Sequence, residues 1–279
     1  KDAAASERLA ARLRPFLLRR TKSQVAKDLP ARSEEAMLCE MTGVQERMYR
    51  EELARAQQMV LTASGFEVLT RRRFAILQAL TRLRQICCHP GLIDKSADDE
   101  ESAKLTATLE LIEELHAEGH KVLLFSQFVT MLNIIRDRLQ EMSIPHYWLT
   151  GSTTNRAEVV QNFQEDPDPC VFLLSLKAGG SGLNLTAASY VILYDPWWNP
   201  AVEAQAIDRA HRIGQTQPVM AYRMITKNSI EEKIMLLQQK KNIMSANILG
   251  EGGFARTLEK SDFEFLFGLE AEEAMRQEE

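Results

Sequence analysis

The feature that most constrains this chain is a series of short, nearly continuous apolar runs in its second half. They are KVLLFS (121–126), PHYWLT (145–150), CVFLLS (170–175), YVILYD (190–195) and VMAYRMI (219–225). Between them lie MLNIIRDRLQEM and NRAEVVQNF, whose apolar residues recur every three or four positions, then a glycine-rich turn, then AVEAQAIDRAHR. A strand that is apolar on both sides must be covered on both faces, and helices between such strands supply the crossovers that parallel pairing needs. The pattern predicts an α/β fold built on a doubly wound parallel sheet. In such sheets ligands sit outside the carboxyl ends of the strands. The positions to inspect are therefore Ser126–Phe128, Thr150–Thr154, Ser175–Leu185 and Asp195–Pro200.

The flanking segments read differently. From about 44 to 88 apolar residues at helical spacing (Met48, Leu53, Met59; Phe74, Leu77, Leu80, Leu83) predict helices. DKSADDEESA (94–103) is polar, acidic and small, which predicts a linker or mobile loop. KLTATLELIEELHAEG reads as an amphipathic helix stopped at Gly119. After the last apolar run, NSIEEKIMLLQQKKNIMSANIL predicts a long helix with Ser229 and Glu232 spaced as a capping box. The expected organisation is a helical region over 1–103, the α/β unit over 104–228, and a helix with an acidic tail over 229–279.

Composition excludes several classes. With 45% apolar and 26% charged residues the chain can bury a sizeable core. No run approaches the ~18 apolar residues a membrane helix needs, and KDAAASERLAARLRP has no apolar signal-peptide core. The chain begins with Lys rather than Met, which predicts a piece of a longer protein. Cys39, Cys87, Cys88 and Cys170 form no C-x-x-C pair, so core cysteines in a reducing compartment are expected and no metal site. A net charge of −5 argues against a wholly basic nucleic-acid surface. Any such site must be a local patch, and the runs with Arg19, Arg20, Lys22 and Lys27, then Arg71, Arg72, Arg73, Arg82 and Arg84, also suit ordinary solvated helix faces.

Two motifs carry chemistry. SLKAGGSGLNL (175–185) follows a strand, and Gly179, Gly180 and Gly182 let the backbone approach a phosphate. A tight turn explains the glycines equally well. The G-x-x-x-x-G-K-[ST] pattern is absent from the chain, and a dinucleotide fingerprint fails because Leu185 stands where the third glycine belongs. QAIDRAHRIGQ (205–215) places Gln205, Arg209 and Arg212 at i, i+4 and i+7, on one face if the helix continues. Two guanidiniums side by side repel unless an anion lies between them, and their planar forks match phosphate oxygens. The alternative is pairing with Asp208 or Glu203. The expectation is an arginine pair at the open rim, clear of local carboxylates. His211 reads as packed or hydrogen-bonded nearby, Asp195 as a ligand-facing carboxylate or a cap, and Trp197–Trp198–Asn199 as a rigid corner that packs or contacts nucleic acid.

These segments, with VLLFSQF, LTGST, LRQICCHP and FLLRRTKSQVAKDLP, closely resemble the second motor lobe of Swi/Snf-type translocases, which are superfamily-two helicase-like ATPases. The similarity runs from about Phe16 to Leu249 in the family's order. It implies a RecA-like lobe with a helical N-terminal extension and a C-terminal brace helix near 230–249. It implies arginine fingers at Arg209 and Arg212, positioned by Gln205, with Gly180, Gly182 and Asp195 near the nucleotide. Ser126, Gln127, Gly151, Ser152, Thr153, Ser175, Lys177 and Trp198 are then expected to face the DNA backbone. The family holds ATP and magnesium mainly through a Walker A loop and a D-E-x-H box on a first lobe. Neither pattern occurs here, so the resemblance implies half a motor, inactive alone, whose partners are that first lobe and double-stranded DNA, with no membrane. The wording of the two motifs is nearer prokaryotic members, which points to cytoplasm or nucleoid, with the nucleus otherwise. A non-enzymatic α/β module that binds DNA or protein is the rival, and a GKT-type loop upstream would decide against it.

Overall fold

A computed structural model describes Arg12, Ala26, residues 28–41, 43–62, 66–97, 100–176, Ala178, 182–241 and 258–269. Among them six strands form one all-parallel sheet: β1 (Arg32–Cys39), β2 (Val122–Ser126), β3 (His146–Leu149), β4 (Val171–Ser175), β5 (Tyr190–Leu193) and β6 (Val219–Thr226). Their spatial order is β1-β6-β5-β2-β4-β3. The helices are α1 (Gly43–Leu61), α2 (Phe66–Cys88), α3 (Ala103–Ala117), α4 (Val129–Glu141), α5 (Arg156–Glu165), α6 (Pro200–Ile207), α7 (Ile230–Lys241) and α8 (Lys260–Phe267). The five apolar runs are thus all strands.

Their continuous hydrophobicity follows from burial on both faces. Leu123, Phe125, Phe172, Leu174, Val191 and Leu193 point into one core layer. The alternate residues Val122, Leu124, Val171, Leu173 and Ile192 point into the other. Period-two alternation puts adjacent residues on opposite faces, so neither face tolerates polarity. The chain lays β4 and β3 on one side of β2 and β5 and β6 on the other, which makes the carboxyl ends of β2, β4 and β5 the switch point of the sheet. Ser126 and Ser175 stand in register there.

Strand β1 was not foreseen. It lies within the stretch expected to be helical and pairs with β6 from Arg32↔Val219 to Cys39↔Thr226. Its sequence RSEEAMLC is polar and largely exposed because it forms the sheet's edge, where charge discourages further pairing. A third core layer gathers α1, α2, α7 and α8 around Ala56, Leu80, Leu83, Ile234 and Phe263. Phe74, counted among the apolar stripe of that region, is instead 79% exposed.

The supposed linker contains order: Asp94 accepts from the backbone N–H of Ser96, and Ser102 caps α3 while its hydroxyl donates to the Cys88 carbonyl at 2.8 Å. The capping box at α7 is displaced by one residue. Ser229 Oγ accepts from Glu231 N, and Glu232 accepts from Asn228 N. Helix α8, within the segment expected to be brace and tail, ends at Gly268, whose φ of +76° is the left-handed cap that a side chain would strain. All four cysteines are buried and free, and burial pushes the Cys170 thiol up to about 11.

Candidate functional site

The residues singled out by sequence fall at two separate places. One is the rim at the carboxyl ends of the strands; the other is the turn that follows α6.

At the rim, Asp195 is 1% exposed. It accepts from the Ser126 hydroxyl and from the Gln127 backbone N–H at 3.3 Å, and the Arg84 guanidinium stands 3.9 Å away. Burial, opposed by Arg84 and then Ser126, holds its carboxyl above the ordinary value of 3.8. Two expectations are corrected here. Asp195 is not ligand-facing, because the carboxylate is used up in joining β5 to β2, and Ser126 is buried beneath it rather than exposed to DNA.

Arg84, taken with its neighbours as a solvated helix face, is 2% exposed. It donates to the Pro196 carbonyl and, at 3.1 Å, to Gln127 Oε1, and its guanidinium lies 5.2 Å from the Trp198 ring. This one side chain from α2 therefore ties together the loops after β2 and β5. Half-buried Trp198 is held against it, and Gln127 is half-buried. Ser175 is also buried, its hydroxyl accepting from Ala178 N at 3.3 Å, which corrects its expected exposure.

Gly151 and Ser152 are exposed and Thr153 is half-buried. Their turn is shaped by Arg156, which donates to the carbonyls of Thr153 and Gly151 at 3.1 Å each. Lys177 and Gly180 lie outside the described residues, as do Arg19, Arg20 and Lys22.

The second place departs from the expected geometry. Helix α6 starts at the rim, where Asn199 caps it, and stops at Ile207. Beyond it the hydrogen bonds tighten: Arg209 N reaches Ala206 O at 3.1 Å and Ala210 N reaches Ile207 O at 3.0 Å. Gln205, Arg209 and Arg212 therefore do not share one continuous helix face. Nor does the turn lie at the carboxyl rim. Asp208 meets Arg32, the first residue of β1, and Gln215 meets Ala188, just before β5. The turn packs against the later part of the β4–β5 crossover, with Leu185 N donating to Arg209 O at 3.0 Å.

Within it Arg209 is 5% exposed, yet its buried Nε has no hydrogen-bond partner and its guanidinium forms no ion pair among the described residues. Burial, then the neighbouring Arg212 charge, keeps its acidity above that of an ordinary arginine, with Asp208 opposing. Arg212 is exposed and donates to the Gly182 carbonyl at 3.0 Å. Gln205 is exposed on α6. Neither arginine forms an ion pair among the described residues, but the Asp208 charge acts on Arg209 and the turn lies away from the open rim where the pair is expected.

Gln215 was given no role from sequence, and it holds the turn together. Its Nε2 donates to the carbonyls of Thr186, Ala188 and Ala210, and its Oε1 accepts from Thr216 N and Gln217 N. Gly214 beside it has φ +104°, which an L side chain rarely adopts. His211 Nε2 meets the Pro30 carbonyl at 2.9 Å, the packed role expected of it.

The helicase conserved C-terminal domain matches residues 103–214 and the SNF2-related domain matches residues 1–92. The solved C-terminal domain of a Sulfolobus solfataricus SWI2/SNF2 ATPase is 31% identical with a TM-score of 0.67, over 84% of this chain and 97% of that one. The chain belongs to the Swi/Snf family of superfamily-two ATPases, as a C-terminal lobe. The core of the Sulfolobus enzyme solved in complex with double-stranded DNA is 34% identical with a TM-score of 0.71, over 95% of this chain and 56% of that one. A putative ATP-dependent helicase/translocase of Bacillus subtilis is 39% identical over 268 residues, 93% of this chain and 28% of the relative. This Swi/Snf lobe spans roughly a quarter of the length of the curated relatives it matches. Its fold is the RecA-like α/β architecture of those solved domains. No described helix is long and apolar enough to cross a membrane.

Proposed function

We propose that this chain is the second motor lobe of an ATP-dependent double-stranded DNA translocase. In this reading it works inside the cell, in cytoplasm or nucleoid. Residues 104–228 with strand β1 are the motor lobe proper, the rest of 1–103 the inter-lobe link and helical region, and 229–279 the brace and tail. Arg209 and Arg212 act as arginine fingers on ATP, Gln205 helps place them, and Gly180 and Gly182 lie beside the nucleotide. A first lobe of the same polypeptide holds ATP and its magnesium. Among the described residues no cluster of three or more His, Cys, Asp or Glu side chains is arranged to hold a metal.

The observation that carries this reading is Arg209: a buried guanidinium beside a second cation, with no ion pair among the described residues. Burying an unpaired charge costs several kcal/mol, so a site that keeps one suits an anion that arrives from outside. A triphosphate on the opposing lobe is such an anion. As the γ-phosphoryl group departs, charge grows on its oxygens, and forks held ready on a rigid turn stabilise that charge. Gln215 and Gly214 supply the rigidity. Lobe closure would bring the fingers in, and hydrolysis would release them.

The DNA side of the proposal is the Gly151–Ser152–Thr153 turn, exposed at Gly151 and Ser152, together with Gln127, Lys177 and Trp198. These residues would meet phosphates without reading sequence. Buried Ser126 and Ser175 would support that surface from beneath.

In the intact ATPase, Arg209→Ala and Arg212→Ala should each lower DNA-stimulated hydrolysis by about 10³-fold or more, while ATP binding stays within a few-fold. Near-normal turnover in either variant removes that arginine from the mechanism. Lys177→Ala should weaken DNA binding evenly across sequences and reduce the slope of log affinity against log salt by about one unit. An unchanged slope takes Lys177 out of the footprint. The chain alone, without a first lobe, should not hydrolyse ATP.

A further inference from the structure

The carboxylate next in sequence to Arg209 is already held by another residue. Arg32 Nη1 lies 3.0 Å from Asp208 Oδ1 and its Nη2 contacts Glu34. The chain of charges continues from there. Glu34 accepts from Arg223, whose Nε donates to Glu203 at 2.9 Å, and Glu203 accepts from the Trp197 backbone N–H at 2.7 Å. Five acidic and basic side chains thus run from the rim corner at Trp197 to the residue before Arg209. None of these contacts touches Arg209 or Arg212.

We infer that Arg32 is a positioning residue for the arginine pair: by holding the Asp208 carboxylate, it keeps that carboxylate off Arg209 and Arg212. The inference rests on the finger reading given above. Two features of the turn make Asp208 a competitor for the fingers. It is the acidic group whose charge acts on Arg209. Its side chain is 38% exposed, so it has room to swing if released. At present Arg212 donates to the Gly182 carbonyl instead, beside the crossover loop. A carboxylate on either guanidinium would have to be displaced before a phosphate could take its place, which would raise the barrier without altering ATP affinity through the first lobe.

Strand β1 gains a purpose from this. Its first residue reaches across the edge of the sheet to Asp208, so docking of β1 on β6 and release of the fingers from their own acid are one event.

The test is a double-mutant cycle in the intact ATPase, reading DNA-stimulated kcat and KM for ATP. Arg32→Met should lower kcat about tenfold, equivalent to about 1.4 kcal/mol, with KM for ATP changed less than about twofold. Asp208→Asn alone should keep near-wild-type turnover. Arg32→Met/Asp208→Asn should recover to the level of Asp208→Asn, because the freed side chain no longer carries charge. Thermal unfolding of both Arg32 variants is measured alongside. A purely structural role predicts equal loss of stability and equal loss of kcat in the two, and that result overturns the inference. Wild-type kcat in Arg32→Met overturns it too. Arg209→Ala, assayed in parallel, separates the layers. If it is inactive while Arg32→Met is normal, only the positioning role fails. If it is fully active, the finger reading fails and takes the positioning role with it.

Discussion

Two arginines of this lobe are almost equally buried and are treated oppositely by their surroundings. Arg84, 2% exposed, gives both terminal nitrogens to oxygens of neighbouring loops and has Asp195 within ion-pair distance. Arg209, 5% exposed, gives none of its side-chain nitrogens to any described residue. Both sit beside strand-connecting loops, and both were read from sequence as part of charged helical stretches. The difference lies in where the compensating charge comes from. At Arg84 it is internal, so the guanidinium acts as a strut between the loops after β2 and β5. At Arg209 no ion pair supplies it among the described residues, and the Asp208 charge only partly opposes the burial. A buried cation without a partner is unfavourable for stability, so its place is better explained by what it meets in a working complex than by what it does for the fold.

The largest effect that would test this contrast is on stability. Arg84→Met removes one member of a buried pair, leaving the Asp195 carboxylate uncompensated and the Pro196 carbonyl unbonded. It should cost about 3–5 kcal/mol, read as a lower urea midpoint at an unchanged slope. Arg209→Met removes a charge that no ion pair among the described residues compensates, and its unfolding free energy should match wild type or exceed it by about 1 kcal/mol. If the two variants lose the same stability, Arg209 has an internal partner after all and the contrast disappears.

The same contrast explains what could be read from the sequence. The five core strands were legible because burial on both faces leaves only apolar residues, as in Leu123–Phe125 and Phe172–Leu174. Strand β1 was not, since an edge strand meets solvent and RSEEAMLC carries no such signature. At the site, the motif QAIDRAHRIGQ located the arginine turn, but helical spacing was extended past Ile207, where the chain tightens and Gly214 turns it. Asp195 and Ser126 were placed on the surface because strand ends usually open onto it. Ser126 instead donates to Asp195, and Asp195 in turn meets Arg84 of α2, more than 100 residues earlier, a contact no local pattern announces. Gln215 stood in the quoted motif, yet its five backbone contacts depend on loops brought together only by folding.

The smallest effect tests how complete the compensation at Arg84 is. Burial raises the Asp195 carboxyl above 3.8 even with Arg84 and Ser126 opposing, so the folded chain holds that proton more tightly than the unfolded chain does. A raised carboxyl contributes most stability below its unfolded value and loses that contribution as the pH climbs through the folded value. Glu203 shifts in the same direction and Glu34 in the opposite one, so the whole-protein curve mixes them. Subtracting the curve of Asp195→Asn isolates the site. The stability of wild type relative to that variant should fall as the pH rises from about 3.8 and level off once the folded carboxyl is ionised. A difference that stays flat would mean that Arg84 balances the desolvation of Asp195 in full. A difference that rises with pH would make the ion pair a net stabiliser of the ionised form. Either result would deepen the contrast with Arg209, where no ion pair among the described residues does the balancing.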